Sequence, residues 1–247
     1  MLTYDGATEG ELARRLDLPR VVLYDTIPST MDVAHALAHE GAPSGTLVLA
    51  DAQTRGRGRG GTSWMSDSGA GVWMTLVERP SNLAAIEVLS LRIGLRAAHV
   101  LDRFAGQRVQ IKWPNDLMLA DGKVAGILVE ARWREQRPEW VAIGVGINLA
   151  PPAEYLRGAS LGAGHRRTDV LEELLPALRA AARVVGPLVD SDLEAFASRD
   201  WARGRRAVAP CAGVVTGLSR HGALLIQTLD GTVACASGSL VLEGAET

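Results

Sequence analysis

Two apolar segments interrupted by glycine constrain this chain more than any other feature. Lys123-Val124-Ala125-Gly126-Ile127-Leu128-Val129-Glu130 reads as a strand buried on at least one face. Residues 142–148, Ala-Ile-Gly-Val-Gly-Ile-Asn, repeat the pattern with two interior glycines and a polar end. An interior glycine adds no packing to a strand and marks close approach by a ligand or another backbone. Two such strands imply a flat slot lined by backbone, suited to a small planar ligand.

The surrounding pattern extends this to a sheet with helices. Asp121-Gly122 separates residues 117–120 from 123–131. An Asp-Gly pair supplies the positive φ of a type I′ hairpin turn. Further strands are expected over 21–24, 46–52, 72–77, 109–113, which Pro114 breaks, and 140–148, ended by Pro151 and Pro152. Helices are expected over 9–16, from Ser29 to Glu40, and over 82–104, 170–184 and 192–201. Ser29 with Asp32 fits a capping box, and Gly41 and Gly106 are natural stops. Arg203-Gly204-Arg205-Arg206 reads as a linker. Beyond it, short strands over 208–211, 213–218, 223–227 and 232–236 suggest a small barrel-like β domain. The expected class is α+β: a mixed, mostly antiparallel sheet with packed helices over 1–204, then a β domain over 205–247.

Composition excludes several functions. Of 247 residues, 47% are apolar and 22% charged, enough for a sizeable core. A net charge of −2 disfavours a general nucleic-acid-coating protein. No apolar run approaches 18 residues without a charge, so no membrane span is expected. The first residues lack the basic start and apolar run of an export signal, and Cys211 and Cys235 have no zinc spacing. The expectation is a cytoplasmic protein with two reduced thiols. The 26 basic residues are 24 Arg and only two Lys, Lys112 and Lys123. Arginine replaces lysine readily on a solvated surface, but not where a compact, mobile point charge is needed.

Four segments carry candidate chemistry. In Arg55-Gly56-Arg57-Gly58-Arg59-Gly60-Gly61, glycines let backbone N–H groups approach a ligand and arginines neutralise an anion. The segment formally matches a dinucleotide fingerprint, but residues 62–71 lack the helical period that motif requires. It reads as a loop that orders over an anionic ligand, with a single RNA-binding tract or a solvated surface loop as alternatives. Lys112-Trp113-Pro114-Asn115-Asp116 ends a strand, where a lysine, an amide and a carboxylate can meet phosphates, ribose or Mg²⁺. Turn chemistry with Trp113 in the core explains three of those five residues, but not Lys112. Lys123 opens the first glycine-interrupted strand. Ser29-Thr30-Met31-Asp32 caps a helix, worth about 1 kcal/mol, and its spare hydroxyls can also bind a polar group. The five histidines share no metal motif; His35 and His39 lie on one helix face without the Glu of a zinc helix, and surface positions are expected for them.

In this order, Ser-Thr-Met-Asp, Gln53-Thr-Arg-Gly-Arg-Gly-Arg-Gly-Gly, Lys-Trp-Pro-Asn-Asp, Lys-Val-Ala-Gly-Ile-Leu-Val-Glu and Gly-Val-Gly-Ile-Asn closely resemble the motifs of biotin–protein ligases. The resemblance runs from about Leu23 to Asn148, and the last forty residues resemble the family's small SH3-like domain. It implies a catalytic domain similar to class II aminoacyl-tRNA synthetases. It also implies a two-step reaction: biotin and MgATP give biotinyl-5′-AMP and pyrophosphate, and a carrier lysine then takes the biotin and releases AMP. The implied partner is a biotin carboxyl carrier protein or carboxylase biotin domain.

The resemblance also implies site roles. Ser29, Thr30, Met31 and Gln53 would hold biotin, with Gly126, Leu128 and Gly144 beneath it. Gly56, Arg57, Gly58 and Arg59 would fold over it. Lys123 would meet the carboxylate–phosphate junction. Trp64, Lys112, Asn115 and Asn148 would line the nucleotide side with Arg57 and Arg59, and Asp116 would serve the acceptor amine. Catalysis falls to Lys123, Arg57, Arg59 and Asp116, with Mg²⁺ arriving on ATP rather than at a fixed metal site. Met31, Arg55 and Thr62 depart from the family pattern, the last where an arginine is usual. No DNA-binding domain and no operator binding are expected, and family members can be homodimers. A lipoate-type ligase on the same fold, an RNA-binding module and an inactive homologue are the rival readings.

Overall fold

The computed structural model describes residues 2–80, 86–135, 137–150, 158–162 and 164–244. A capping box on Thr8 starts helix α1 (Glu9–Arg15), which leads into strand β1 (Arg20–Ile27). Helix α2 (Thr30–His39) returns the chain to β2 (Thr46–Gln53), which pairs parallel to β1. After the Arg-Gly loop, β3 (Gly71–Glu78) leads to α3 (Ile86–Ala105), and Gly106 at φ 62° ends that helix. Strands β4 (Gln110–Lys112), β5 (Asp116–Leu119), β6 (Gly122–Arg134) and β7 (Arg137–Asn148) follow. The seven strands form one sheet in the order β1-β2-β3-β7-β6-β5-β4, antiparallel at every pair except β1·β2. The expected α+β class and mostly antiparallel sheet are observed. The expected helix start at Asn82 and the Pro151-Pro152 stop lie outside the described residues.

Strand alternation gives each face of this sheet its own core. Leu47 and Leu49 of β2 join the large cluster with α3 and helix α4 (Arg167–Arg183), while Val48 and Ala50 pack with Ala34 and Ala38 of α2. Helix α5 (Asp190–Ala197) is shorter than the expected 192–201. The chain turns instead, and Ile111 N–H donates to the Arg199 carbonyl while Trp201 N–H donates to the Ile111 carbonyl. The expected linker at 203–206 is likewise structured: the Arg205 guanidinium lies 4.0 Å from the Trp201 ring centroid. A second sheet follows, of β8 (Arg206–Ala209), β9 (Gly213–Leu218), β10 (Leu224–Thr228), β11 (Gly231–Cys235) and β12 (Val241–Leu242), in the order β11-β10-β9-β8-β12. Among the described residues no helix is long and apolar enough to cross a membrane.

Two local expectations need correction. The Ser29 hydroxyl accepts from the Met31 N–H, and the Asp32 carboxylate is engaged by Arg57 instead of completing a capping box. The β5–β6 hairpin forms, but its left-handed residue is Ala120 at φ 50°, ahead of the Asp-Gly pair. Gly122 has a different constraint: a Cβ there would lie 2.8 Å from the Ala159 Cβ.

Candidate active site

The floor of the site follows from strand alternation in β6 and β7. Ala125 and Ile127, and likewise Ile143, Val145 and Ile147, point into the large core. Their neighbours Gly126, Leu128, Gly144 and Gly146 therefore point to the opposite face. Gly126 pairs directly with Gly146, and Leu128 with Gly144, which leaves a patch of bare backbone. That patch seats side chains. A Cβ on Gly146 would lie 2.4 Å from Trp64 Nε1, one on Gly126 2.8 Å from Trp64 Cζ3, and one on Gly144 2.8 Å from Met31 Cε. Trp64 Nε1 is buried and has no acceptor among the described residues.

One wall is built at the start of α2. Gln53 Oε1 accepts from the Thr30 N–H at 2.8 Å and from its hydroxyl at 3.1 Å. Thr75 donates to Thr30 Oγ1 at 2.9 Å, and Gln53 Nε2 donates to Ser66 Oγ at 2.7 Å. Ser29 and Thr30 are buried, so this is a pre-set polar wall rather than a solvated cap.

Cations surround the cavity, and each has a defined partner. Lys123 Nζ lies 2.7 Å from Asp116 Oδ1 and 4.9 Å from the Trp64 ring centroid. Arg57 donates from Nη1 to Asp32 at 2.8 Å and from Nη2 to Glu130 at 2.5 Å. Arg59 Nη1 donates to the Gly238 carbonyl at 2.5 Å. Lys112 Nζ lies 5.4 Å from the Trp201 ring centroid. The two amides brace backbone: Asn115 Nδ2 donates to the Ile127 carbonyl at 2.8 Å, and Asn148 Nδ2 to the Ala159 carbonyl at 3.1 Å.

The cavity measures about 260 Å³, the scale of a small-molecule site. Ser29, Thr30, Met31, Gln53, Arg57, Gly58, Arg59, Trp64, Lys112, Asn115, Asp116, Lys123, Gly126, Leu128, Gly144 and Asn148 all line it. Gly56 does not line it; a Cβ there would lie 2.2 Å from the Trp64 carbonyl oxygen, so it lets the loop fold on itself. Sequence reasoning missed Met65, Met74, Thr75, Ser239 and Leu240. Ser239 and Leu240 come from the loop before β12, and no local pattern carried a signal for them. Among the described residues no group of three or more His, Cys, Asp or Glu could hold a metal ion.

Comparison with known proteins agrees with this architecture. The fold is similar to that of the biotin protein ligase from Aquifex aeolicus solved in complex with biotin and ATP, with a TM-score of 0.76 and 24% identity over 92% of this chain and 99% of that one. A family model for the biotin/lipoate A/B protein ligases matches residues 23–148, and the chain belongs to that family. The bifunctional ligase/repressor BirA of Bacillus subtilis (strain 168) is 42% identical over 130 residues, which is 52% of this chain and 40% of that protein. The biotin–[acetyl-CoA-carboxylase] ligase of Paracoccus denitrificans is 43% identical over 116 residues, 44% of this chain and 47% of that one. The matched stretch is thus under half the length of either relative.

Proposed function

We propose that this chain is an ATP-dependent biotin–protein ligase. It would activate biotin as biotinyl-5′-AMP with release of pyrophosphate, then transfer biotin to a lysine of a carboxylase biotin domain. The observation that carries the reading is the Lys123–Asp116 pair, 2.7 Å long, at the edge of a glycine-floored cavity beneath an arginine loop. Family membership, the relative named as a bifunctional ligase/repressor and the one named as a biotin–[acetyl-CoA-carboxylase] ligase support the same reading.

Each step has a group suited to it. Thr30, Gln53 and Ser29 form the polar wall that holds biotin's head group, and the glycine floor with Trp64 and Met31 receives its flat body. The biotin carboxylate attacks the α-phosphate, and charge grows on phosphate oxygens as pyrophosphate leaves. Lys123 moves from Asp116 to that charge, joined by Arg57 and Arg59; a preorganised donor of this kind contributes about 3–4 kcal/mol. Mg²⁺ would arrive with the ATP phosphates and would neutralise part of their charge; among the described lining residues Asp116 is the carboxylate that could meet it. Departure of Lys123 leaves Asp116 free to accept a proton from the incoming lysine amine. The closed loop keeps water from the mixed anhydride.

Residues 1–204 would form the catalytic unit and 205–247 a small β unit whose Ser239 and Leu240 complete the cavity. The test is a mass-spectrometric acceptor assay with MgATP, a biotin carrier domain, and either biotin or lipoate. A biotin-sized gain on the carrier, absent with lipoate and slowed at least about a hundredfold by Lys123→Ala, is expected. A lipoate-sized gain would move the chain to the lipoate side of its family. No gain and no biotin-dependent pyrophosphate release would reject the reading.

A further inference from the structure

Arg57 is held by a chain of contacts that begins in β7 and ends on the Arg-Gly loop. The Trp140 indole donates to His35 Nδ1 at 2.9 Å. An indole nitrogen only donates, so Nδ1 of His35 accepts and the ring proton sits on Nε2. Nε2 lies 2.9 Å from Glu130 Oε2 and donates to it. The other oxygen, Glu130 Oε1, accepts from Arg57 Nη2 at 2.5 Å. His35 and Glu130 side chains are 22% and 30% exposed, against 55% for Asp32, so Glu130 is the better shielded of the two anchors. His35 is therefore not the solvated surface residue its sequence context suggests.

We propose that His35 is a positioning residue: by fixing Glu130 it holds Arg57 at the rim of the cavity and so restrains the Arg-Gly loop. A guanidinium has five N–H donors. The two carboxylates use two of them, and the others remain for an anionic ligand. Ordering a glycine-rich loop costs conformational entropy, and an anchor on Arg57 offsets part of that cost. The rest of the loop is tied locally: Gly58 N–H donates to the Thr62 carbonyl at 2.7 Å, and the Thr62 hydroxyl donates to the Arg59 carbonyl at 2.9 Å. Thr62, the residue that departs from the family's arginine, thus serves the loop's own closure. The identity of the ligand rests on the biotinyl-adenylate reading; the anchor does not.

Trypsin reads the anchor directly, because cleavage after Arg57 requires its guanidinium to leave both carboxylates. Arg55 is exposed in the same loop and serves as the internal reference, since general loosening speeds both cuts. Without ligand, His35→Leu and Glu130→Gln are expected to raise the Arg57-to-Arg55 cleavage ratio about tenfold, the scale of a hydrogen bond to a charged group. His35→Gln, which keeps an acceptor for Trp140 and a donor for Glu130, is expected to hold the parent ratio. In parallel, biotinyl-5′-AMP is expected to leave His35→Leu about tenfold faster, while saturating transfer from supplied adenylate changes less than about twofold. An unchanged ratio in both His35→Leu and Glu130→Gln overturns the proposal, and so does a ratio raised equally in His35→Gln. If His35→Leu fails to fold, Glu130→Gln with His35→Gln decides. A parent that makes no adenylate, but whose variants lose the anchor, would refute the ligand reading and support the anchor.

Discussion

Lys123 and Asp116 neutralise each other at 2.7 Å, each about a quarter exposed. A partly shielded pair of this kind is stable enough to persist and cheap enough to exchange. In the proposed reaction a phosphate that captures Lys123 would release a carboxylate in the same move, coupling occupancy of the cavity to the appearance of a base. Asp116→Asn separates the two roles. It keeps an acceptor oxygen for Lys123 but cannot take a proton. Transfer to the carrier lysine is expected to slow by about a hundredfold, the general-base contribution. Biotin-dependent pyrophosphate release is expected to slow much less. Separate single-turnover measurements of the two halves check this; equal slowing of both would place Asp116 in binding rather than in proton transfer.

At the scale of the element, β6 and β7 bring the site together because their glycines coincide in register. Gly146→Ala would put a Cβ 2.4 Å from Trp64 Nε1, so the indole must leave its seat and carry the loop with it. A shift of about 1 Å in a group that positions substrate can cost a hundredfold. Adenylate formation in Gly146→Ala is therefore expected to fall by at least about tenfold with little change in melting temperature, read by pyrophosphate release and calorimetry. This floor was legible in the sequence, since a glycine inside an apolar strand gives up packing and leaves room for something to approach the backbone. The spacing did not show that side chains from elsewhere, Trp64 and Met31, would fill part of it. Nor was the hairpin turn read correctly, because close packing of Gly122 on Ala159, not turn geometry, sets that glycine. The two-residue strand β12 is too short to leave a period, and Leu240 reaches the cavity only through long-range folding. His35 was misread because its partners, Trp140 and Glu130, lie about a hundred residues away.

At the scale of the whole molecule, residues 199–205 join the two sheets. Arg199 and Trp201 bond to Ile111 of β4, and Gly204 N–H donates to the Val215 carbonyl of β9. Asp200 sits inside this joint, 8% exposed. Its Oδ1 accepts from the Ala202 N–H at 2.9 Å, but Oδ2 has no partner among the described residues. Burial pushes its pKa up to about 6 from 3.8, against the opposing pull of the Ala202 N–H and Arg203. A carboxyl raised on folding favours the folded state only while it is protonated. Its cost is absent below pH 3.8, grows as pH rises from there to about 6, and is constant above that. The full cost is roughly 3 kcal/mol at neutral pH. Asp200→Asn keeps the acceptor and removes the charge. The variant is expected to be more stable than the parent at pH 7 by roughly 1–3 kcal/mol, with the advantage shrinking through pH 5 to a small fraction of that at pH 4. Asp51 and Asp102, whose carboxyls are held low by Ser68, Arg167 and Arg199, lose stability at the acid end in both proteins and cancel in the difference. Urea midpoints of parent and variant across pH 4–7 measure that difference. Parallel curves would mean that Asp200 is charged and satisfied in the joint, and that the two sheets are not coupled through a titrating group.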